Sequence, residues 1–220
     1  MTIINEETRK FLKERFDKDF AADVEVVIFT DTNPATQERS EYVEFTAGIF
    51  KELSEISPRI IVKEEQLGGA KALSYGITTD PSVMIGENKG YRIIFNGAPA
   101  GHEFTSVIET LLFVSRGESG LSSDSQARIE AVPGTARVQI FVTAECPLCP
   151  QSVILSHRVA VASEGRITSE CVETAENLKL SAEYNVSGVP QQVINSDKAT
   201  VTVGVQPETV FVDQVLKNLK

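Results

Sequence analysis

Two of the three cysteines in this 220-residue chain stand two residues apart, in Cys146-Pro147-Leu148-Cys149. A pair at this spacing, placed where a strand gives way to a helix, can close and open a disulfide and so exchange electrons with other thiols. The competing reading is a metal site. Zinc asks for about four ligands, and the chain offers only Cys171, His102 and His157 besides the pair, with no second cysteine pair and no histidine cluster. No metal is therefore expected. No cofactor is expected either: Gly68-Gly69 reads as a turn, because the lysine and spacing of a phosphate loop are missing.

The thiolate is the attacking species, and an ordinary thiol with a pKa of about 8.5 supplies little of it near neutrality. A helix N-terminus beside the first sulfur brings unpaired N–H groups and partial positive charge, which lower that pKa. Cys146 is thus the expected exposed nucleophile, and Cys149 the expected buried resolving thiol. Pro147 and Pro150 are tolerated at a helix start, where N–H groups lack helical partners. Leu148 lies between the sulfurs, where it tunes their potential.

The elements that must hold this pair occur twice. Residues 138–142 read as a strand, 150–162 as a helix, 167–172 as a strand and 175–184 as a helix ended by Asn185. Strands at 191–194 and 199–205 form a hairpin, and a helix over 207–219 closes the unit. The first half repeats this βαβαββα order at 24–29, 39–53, 59–62, 69–75, 82–85, 91–95 and 102–114. Tyr75 and Pro81 fall at the same spacing as Tyr184 and Pro190, and Gly97 corresponds to Gly204. A helix over 6–20 precedes the first unit, with Asn5 as its cap and Phe11, Leu12, Phe16 and Phe20 as its apolar stripe. The expected division is an N-terminal unit over 1–117, a polar connector over 118–133 with a helical piece at 123–130, and a C-terminal unit over 134–220.

Composition fits this picture. Hydrophobic residues make up 41% and charged residues 24%, as in a globular chain able to bury a core. A net charge of -10 argues against nucleic acid or an anionic membrane as partner. No basic leader followed by an apolar run begins the sequence, and apolar runs such as Leu111-Leu112-Phe113-Val114 are too short to span a bilayer. The expected compartment is the cytoplasm, where a cysteine pair is more often catalytic than structural.

Three stretches carry a family resemblance: 141–150 around the cysteines, 184–190 ending in Val189-Pro190, and Pro99-Ala100-Gly101-His102-Glu103-Phe104. Together they resemble the protein disulfide oxidoreductases, glutaredoxin-like proteins of about this length from thermophilic archaea and bacteria. The resemblance implies an α/β chain of two tandem thioredoxin-like folds, each a mixed sheet flanked by helices. It implies that Pro190 faces the dithiol in a cis bond, leaving the Val189 backbone free to pair with an extended substrate. Pro147, Leu148, Val189 and Pro190 are accordingly the expected substrate-binding residues, and Cys146 and Cys149 the catalytic ones.

Two departures stand out. That family carries a cysteine pair in both units, but here the corresponding segment, 34–42, holds none. Electron transfer between two internal dithiols is thereby excluded. The acid that thioredoxin places six residues before its first cysteine is Ile140 here. The N-terminal module of the flavoprotein component of alkyl hydroperoxide reductase is similar in keeping cysteines only in its second fold.

The expected function is thiol–disulfide exchange on protein disulfides through one dithiol. The alternatives are an electron carrier to a peroxiredoxin and a non-catalytic, chaperone-like peptide-binding module. Expected partners are protein disulfides or dithiols, with a thioredoxin-reductase-like donor or a peroxiredoxin and a homodimer as further options. Cys171 reads as a buried structural thiol, His102 and His157 as structural residues, and Pro81 as an architectural turn.

Overall fold

A computed structural model describes residues 2–31 and 39–220. Its first half runs α1 (Glu6–Asp19), β1 (Val24–Thr30), α2 (Glu41–Ile56), β2 (Ile60–Gln66), α3 (Ala70–Tyr75), β3 (Ser82–Ile85), β4 (Arg92–Asn96) and α4 (Glu103–Arg116). After α5 (Ser123–Ala131) come β5 (Ala136–Val142), α6 (Cys149–Ala162), β6 (Ile167–Glu173), α7 (Leu178–Glu183), β7 (Gln191–Ile194), β8 (Asp197–Val203) and α8 (Glu208–Lys217). The two halves are tandem thioredoxin-like folds, and their strands share one order: β2-β1-β3-β4, then β6-β5-β7-β8.

The two mixed sheets are also one sheet. β4 pairs with β6 in parallel, with Phe95 opposite Cys171, so eight strands run without a break. This removes two sheet edges from solvent. The edges that remain, β2 and β8, are the polar ones. β2 extends past the expected strand through Lys63, Glu64 and Glu65, because only an edge strand leaves such side chains in water, and Lys63 pairs there with Glu25.

β1, β3, β5 and β7 are nearly all buried, as strands covered on both faces must be. One face carries a single core shared by both halves, which includes Phe16, Leu53, Leu111, Val153 and Phe211. The other face carries two separate clusters, one under α3 around Phe29 and Met84, the other under α7 around Phe141 and Tyr184. α5 is tied to the second half: Ile129 is buried, Arg128 pairs with Asp213, and Arg166 donates to the carbonyls of Ile129 and Val132.

Two sequence expectations need correction. Asn5 does cap α1, accepting from the Thr8 N–H at 2.8 Å, and Leu12, Phe16 and Phe20 are buried, but Phe11 is 59% exposed. One residue before Leu12, it points about 100° away from the buried stripe. α7 is also shorter than expected and starts at Leu178. The Glu173 side chain accepts from the Glu176 N–H, and the Asn177 amide donates to the carbonyls of Asn96 and Glu173, so a turn takes the place of the first helical turn.

Leu111 lies in the shared core and is fully buried. Leu111→Ala is expected to lower unfolding free energy by about 2–5 kcal/mol, read from denaturant unfolding; a loss under about 1 kcal/mol would mean that the core closes over the gap.

Candidate functional site

The redox loop leaves β5 at Val142 and turns into α6 at Cys149. Cys146 and Cys149 are joined in a disulfide. The backbone N–H of Cys149, the first residue of α6, donates to the Cys146 sulfur at 3.1 Å, and the Cys146 N–H donates to the Thr143 carbonyl at 3.1 Å. The first sulfur thus sits on an otherwise unpaired donor of a helix N-terminus, as the spacing requires. Pro150 follows at the second helical position, where its missing N–H costs nothing.

The exposure differs from the sequence expectation. Cys146 is 9% exposed and Cys149 is wholly buried. The Cys146 side chain turns inward to bond Cys149 and packs on the shared core, so the surface of the loop belongs to Pro147 and to Leu148, which is 52% exposed. Val189 and Pro190 lie at the same end of the sheet. Gln191 pairs with Phe141, which sets the preceding residues beside the end of β5 that releases the redox loop. The Val189-Pro190 bond is cis, as is Asp80-Pro81 in the first half. Val189 is half-buried against the core that contains both cysteines, and Pro190 is buried.

Of the segment expected to hold a first-half motif, residues 34–38 lie outside the described residues. The rest forms the start of α2, where the Ser40 hydroxyl accepts from the Val43 N–H.

The first half grips the redox loop directly. The His102 N–H donates to the Ala144 carbonyl at 3.0 Å. Gly101, at a φ of 58°, lies so close that a β-carbon there would run into the Ala144 carbonyl oxygen. Both the left-handed backbone and the close approach require glycine.

The next residue but one is the one that sequence reasoning missed. Glu103, the first residue of α4, is 2% exposed. One carboxylate oxygen accepts from the Ser106 hydroxyl at 2.6 Å and lies 3.9 Å from the Cys171 sulfur; the other is buried without a hydrogen-bond partner among the described residues. Burial pushes its pKa up to about 7, against the pull of Ser106 and Cys171. Ile140, which occupies the position expected to be acidic, is opposite Cys171 in the β5–β6 register. A carboxyl from the other half has therefore entered the region that Ile140 leaves apolar. A glutamate opening the otherwise apolar segment from Pro99 was the available signal, but a helix start explains such a residue equally well.

Cys171 is buried and free, with its pKa raised well above the usual thiol value by burial and by the Glu103 carboxylate. His157 is buried, its Nδ1 paired with the Thr110 hydroxyl at 2.9 Å across α4 and α6, and burial lowers its pKa to about 3. No group of three or more His, Cys, Asp or Glu side chains suited to a metal occurs among the described residues.

Two measurements test this geometry. Gly101→Ala is expected to cost about 1–3 kcal/mol and to displace the redox loop; unchanged stability and unchanged alkylation kinetics of reduced Cys146 would show that the contact is slack. Glu103 binds its proton more tightly folded than unfolded, so its protonation favours the native state below pH 4.5, and that advantage disappears as pH rises to about 7. Relative to Glu103→Gln, the native protein should lose up to about 3 kcal/mol over that interval. Parallel pH–stability curves would place Glu103 in a solvated setting. His157 and the other groups are common to both proteins and cancel.

Comparison with known proteins agrees with this fold. Residues 136–217 match a thioredoxin domain. A protein disulfide oxidoreductase from Aeropyrum pernix superimposes with a TM-score of 0.85 at 26% identity, covering 98% of this chain and 93% of that one. The NTD_N/C domain of alkylhydroperoxide reductase from Enterococcus faecalis gives 0.81 at 25% identity, covering 96% of this chain and 99% of that one. The F component of alkyl hydroperoxide reductase from Escherichia coli is 26% identical over 147 residues, which is 67% of this chain and 27% of the relative's length. No helix among the described residues is long and apolar enough to cross a membrane. The chain is thus built of two fused thioredoxin-like folds, and the second, over residues 136–217, matches a thioredoxin domain.

Proposed function

We propose that the chain carries out thiol–disulfide exchange with polypeptide substrates through Cys146 and Cys149 alone. The observation that carries this reading is the Cys149 N–H directed at the Cys146 sulfur where α6 begins. That donor and the helix dipole stabilise a thiolate on Cys146 once the disulfide is reduced. The first 117 residues act in this reading as a unit without redox chemistry of its own, joined through 118–133 to the active unit at 134–220.

In the reducing direction the Cys146 thiolate attacks one sulfur of a substrate disulfide. The substrate bond breaks, its other sulfur leaves as a thiolate and takes a proton, and Cys146 is held in a mixed disulfide. Cys149 then gives up its proton and attacks the Cys146 sulfur. The second substrate sulfur leaves, two electrons have passed to the substrate, and the Cys146–Cys149 disulfide remains. An external dithiol donor restores the pair. In this reading Glu103, buried two residues after the glycine that meets the redox loop and with a pKa of about 7, receives the Cys149 proton. The exposed faces of Pro147 and Leu148, together with the Val189 backbone before Pro190, offer the surface against which an extended substrate lies.

The likeness to the F component of alkyl hydroperoxide reductase supports a second reading, in which the substrate is a peroxiredoxin. Cys146→Ser should abolish reduction of a disulfide-bonded protein to the uncatalysed rate, and residual catalysis would remove Cys146 from the mechanism. Cys149→Ser should accumulate mixed disulfides on Cys146. Identifying the trapped proteins separates the readings: a peroxiredoxin alone favours the second, a broad set the first.

A further inference from the structure

Beside the redox loop lies a groove of about 600 Å³ whose walls come from both halves. The first half contributes Tyr42 and Phe45 from the first turns of α2, and the second contributes the loop residues just before Cys146. Tyr42 is 54% exposed. Four carboxylates stand around this apolar floor: Glu41, Glu145, Glu173 and Glu176. No lysine or arginine lines the groove among the described residues. None of the four carboxylates forms an ion pair with a described residue. Two are fixed by the backbone: Glu173 accepts from the Glu176 N–H at 2.8 Å, and Glu176 accepts from the Ala98 N–H at 2.9 Å.

We infer that this groove seats an extended segment of the substrate protein that carries lysine or arginine close to its disulfide. The inference rests on the exchange reaction proposed above and names the substrate class that the site prefers. Three observations lead to it. Glu145 directly precedes Cys146, so a chain lying in the groove enters or leaves at the sulfur. The volume is that of a site for a short peptide stretch or small ligand. Glu41, Glu145 and Glu173, none of them ion-paired with a described residue, complement a cationic segment, while Glu176, its pKa pushed up to about 7 by burial, adds only part of a charge; Tyr42 and Phe45 are available to the aliphatic stems of the segment's lysines and arginines. A second copy of this chain is the wrong occupant on charge grounds, because a net charge of -10 repels its own acidic rim. The start of α2 is also where a first-half dithiol would stand. The cysteine-free half thus supplies the substrate platform for its neighbour's chemistry.

The test uses two peptides of one sequence, alike except that the residues flanking their cysteine are lysines in one and glutamates in the other. In the binding arm, the cysteine is replaced by serine, and each dye-labelled peptide is titrated against the oxidised protein by fluorescence anisotropy. In the turnover arm, the matching disulfide-linked peptides are reduced by the dithiol form. The lysine peptide should bind and react about tenfold better at about 50 mM salt, and the advantage should shrink several-fold at about 500 mM. In Glu41→Gln/Glu173→Gln the ratio of the two peptides should fall several-fold in both arms. Equal binding of the two peptides, or a ratio untouched by the double substitution, overturns the inference. A binding preference without turnover of either peptide upholds the groove and overturns the exchange reaction instead. Self-association that competes with the lysine peptide, seen by sedimentation, would assign the groove to a second copy and also overturn the proposal.

Discussion

The parallel pairing of β4 with β6 is the constraint on which the rest of this molecule depends. Without it the halves would be two small sheets on a tether, each with an open edge. With it, the segment from Gly97 to Glu103 leaves the last strand of the first half directly beside the strand that carries Cys171. The Gly101 and His102 contacts to Ala144 follow from that placement, as does the burial of Glu103. A redox loop that belongs by sequence to the second half is therefore shaped by backbone from the first.

The electrostatics of the site also divide across this seam. α6 brings the positive end of its dipole to Cys146 from within the second half. The carboxyl comes from the first half, enters an apolar interior and resists ionising there. One effect favours charge on the Cys146 sulfur, and the other keeps a carboxyl that titrates near neutral pH in the interior. On the outside, the same division places the aromatic wall of the groove on α2 and one of its carboxylates, Glu145, on the loop.

Much of this was legible in the residues, and the limits have physical causes. The cysteine pair, the matched Tyr75 and Tyr184, and the prolines after them report local geometry, which a linear sequence expresses well. The order of elements along each half followed from the same repeat. The joining of the sheets was not legible, because β4 and β6 are apolar runs that read alike whether their edges meet each other or a helix. Glu103 escaped for a similar reason: its burial depends on backbone from another unit, and its own neighbours describe only a helix start. Phe11 and the shortened α7 show smaller failures, one from reading every aromatic into a stripe, the other from side chains of Glu173 and Asn177 that compete for backbone groups.

The surroundings of Cys171 keep a third thiol out of the proposed cycle. A polypeptide tethered to Cys146 can be released by a thiolate within the same molecule, and a chain with three cysteines has three internal pairings to choose among. Holding the third sulfur protonated beneath the sheet surface, against a carboxyl that disfavours its anion, removes two of those pairings. The captured intermediate then has a single intramolecular exit, and how long it lives is set by one competitor rather than by a scramble.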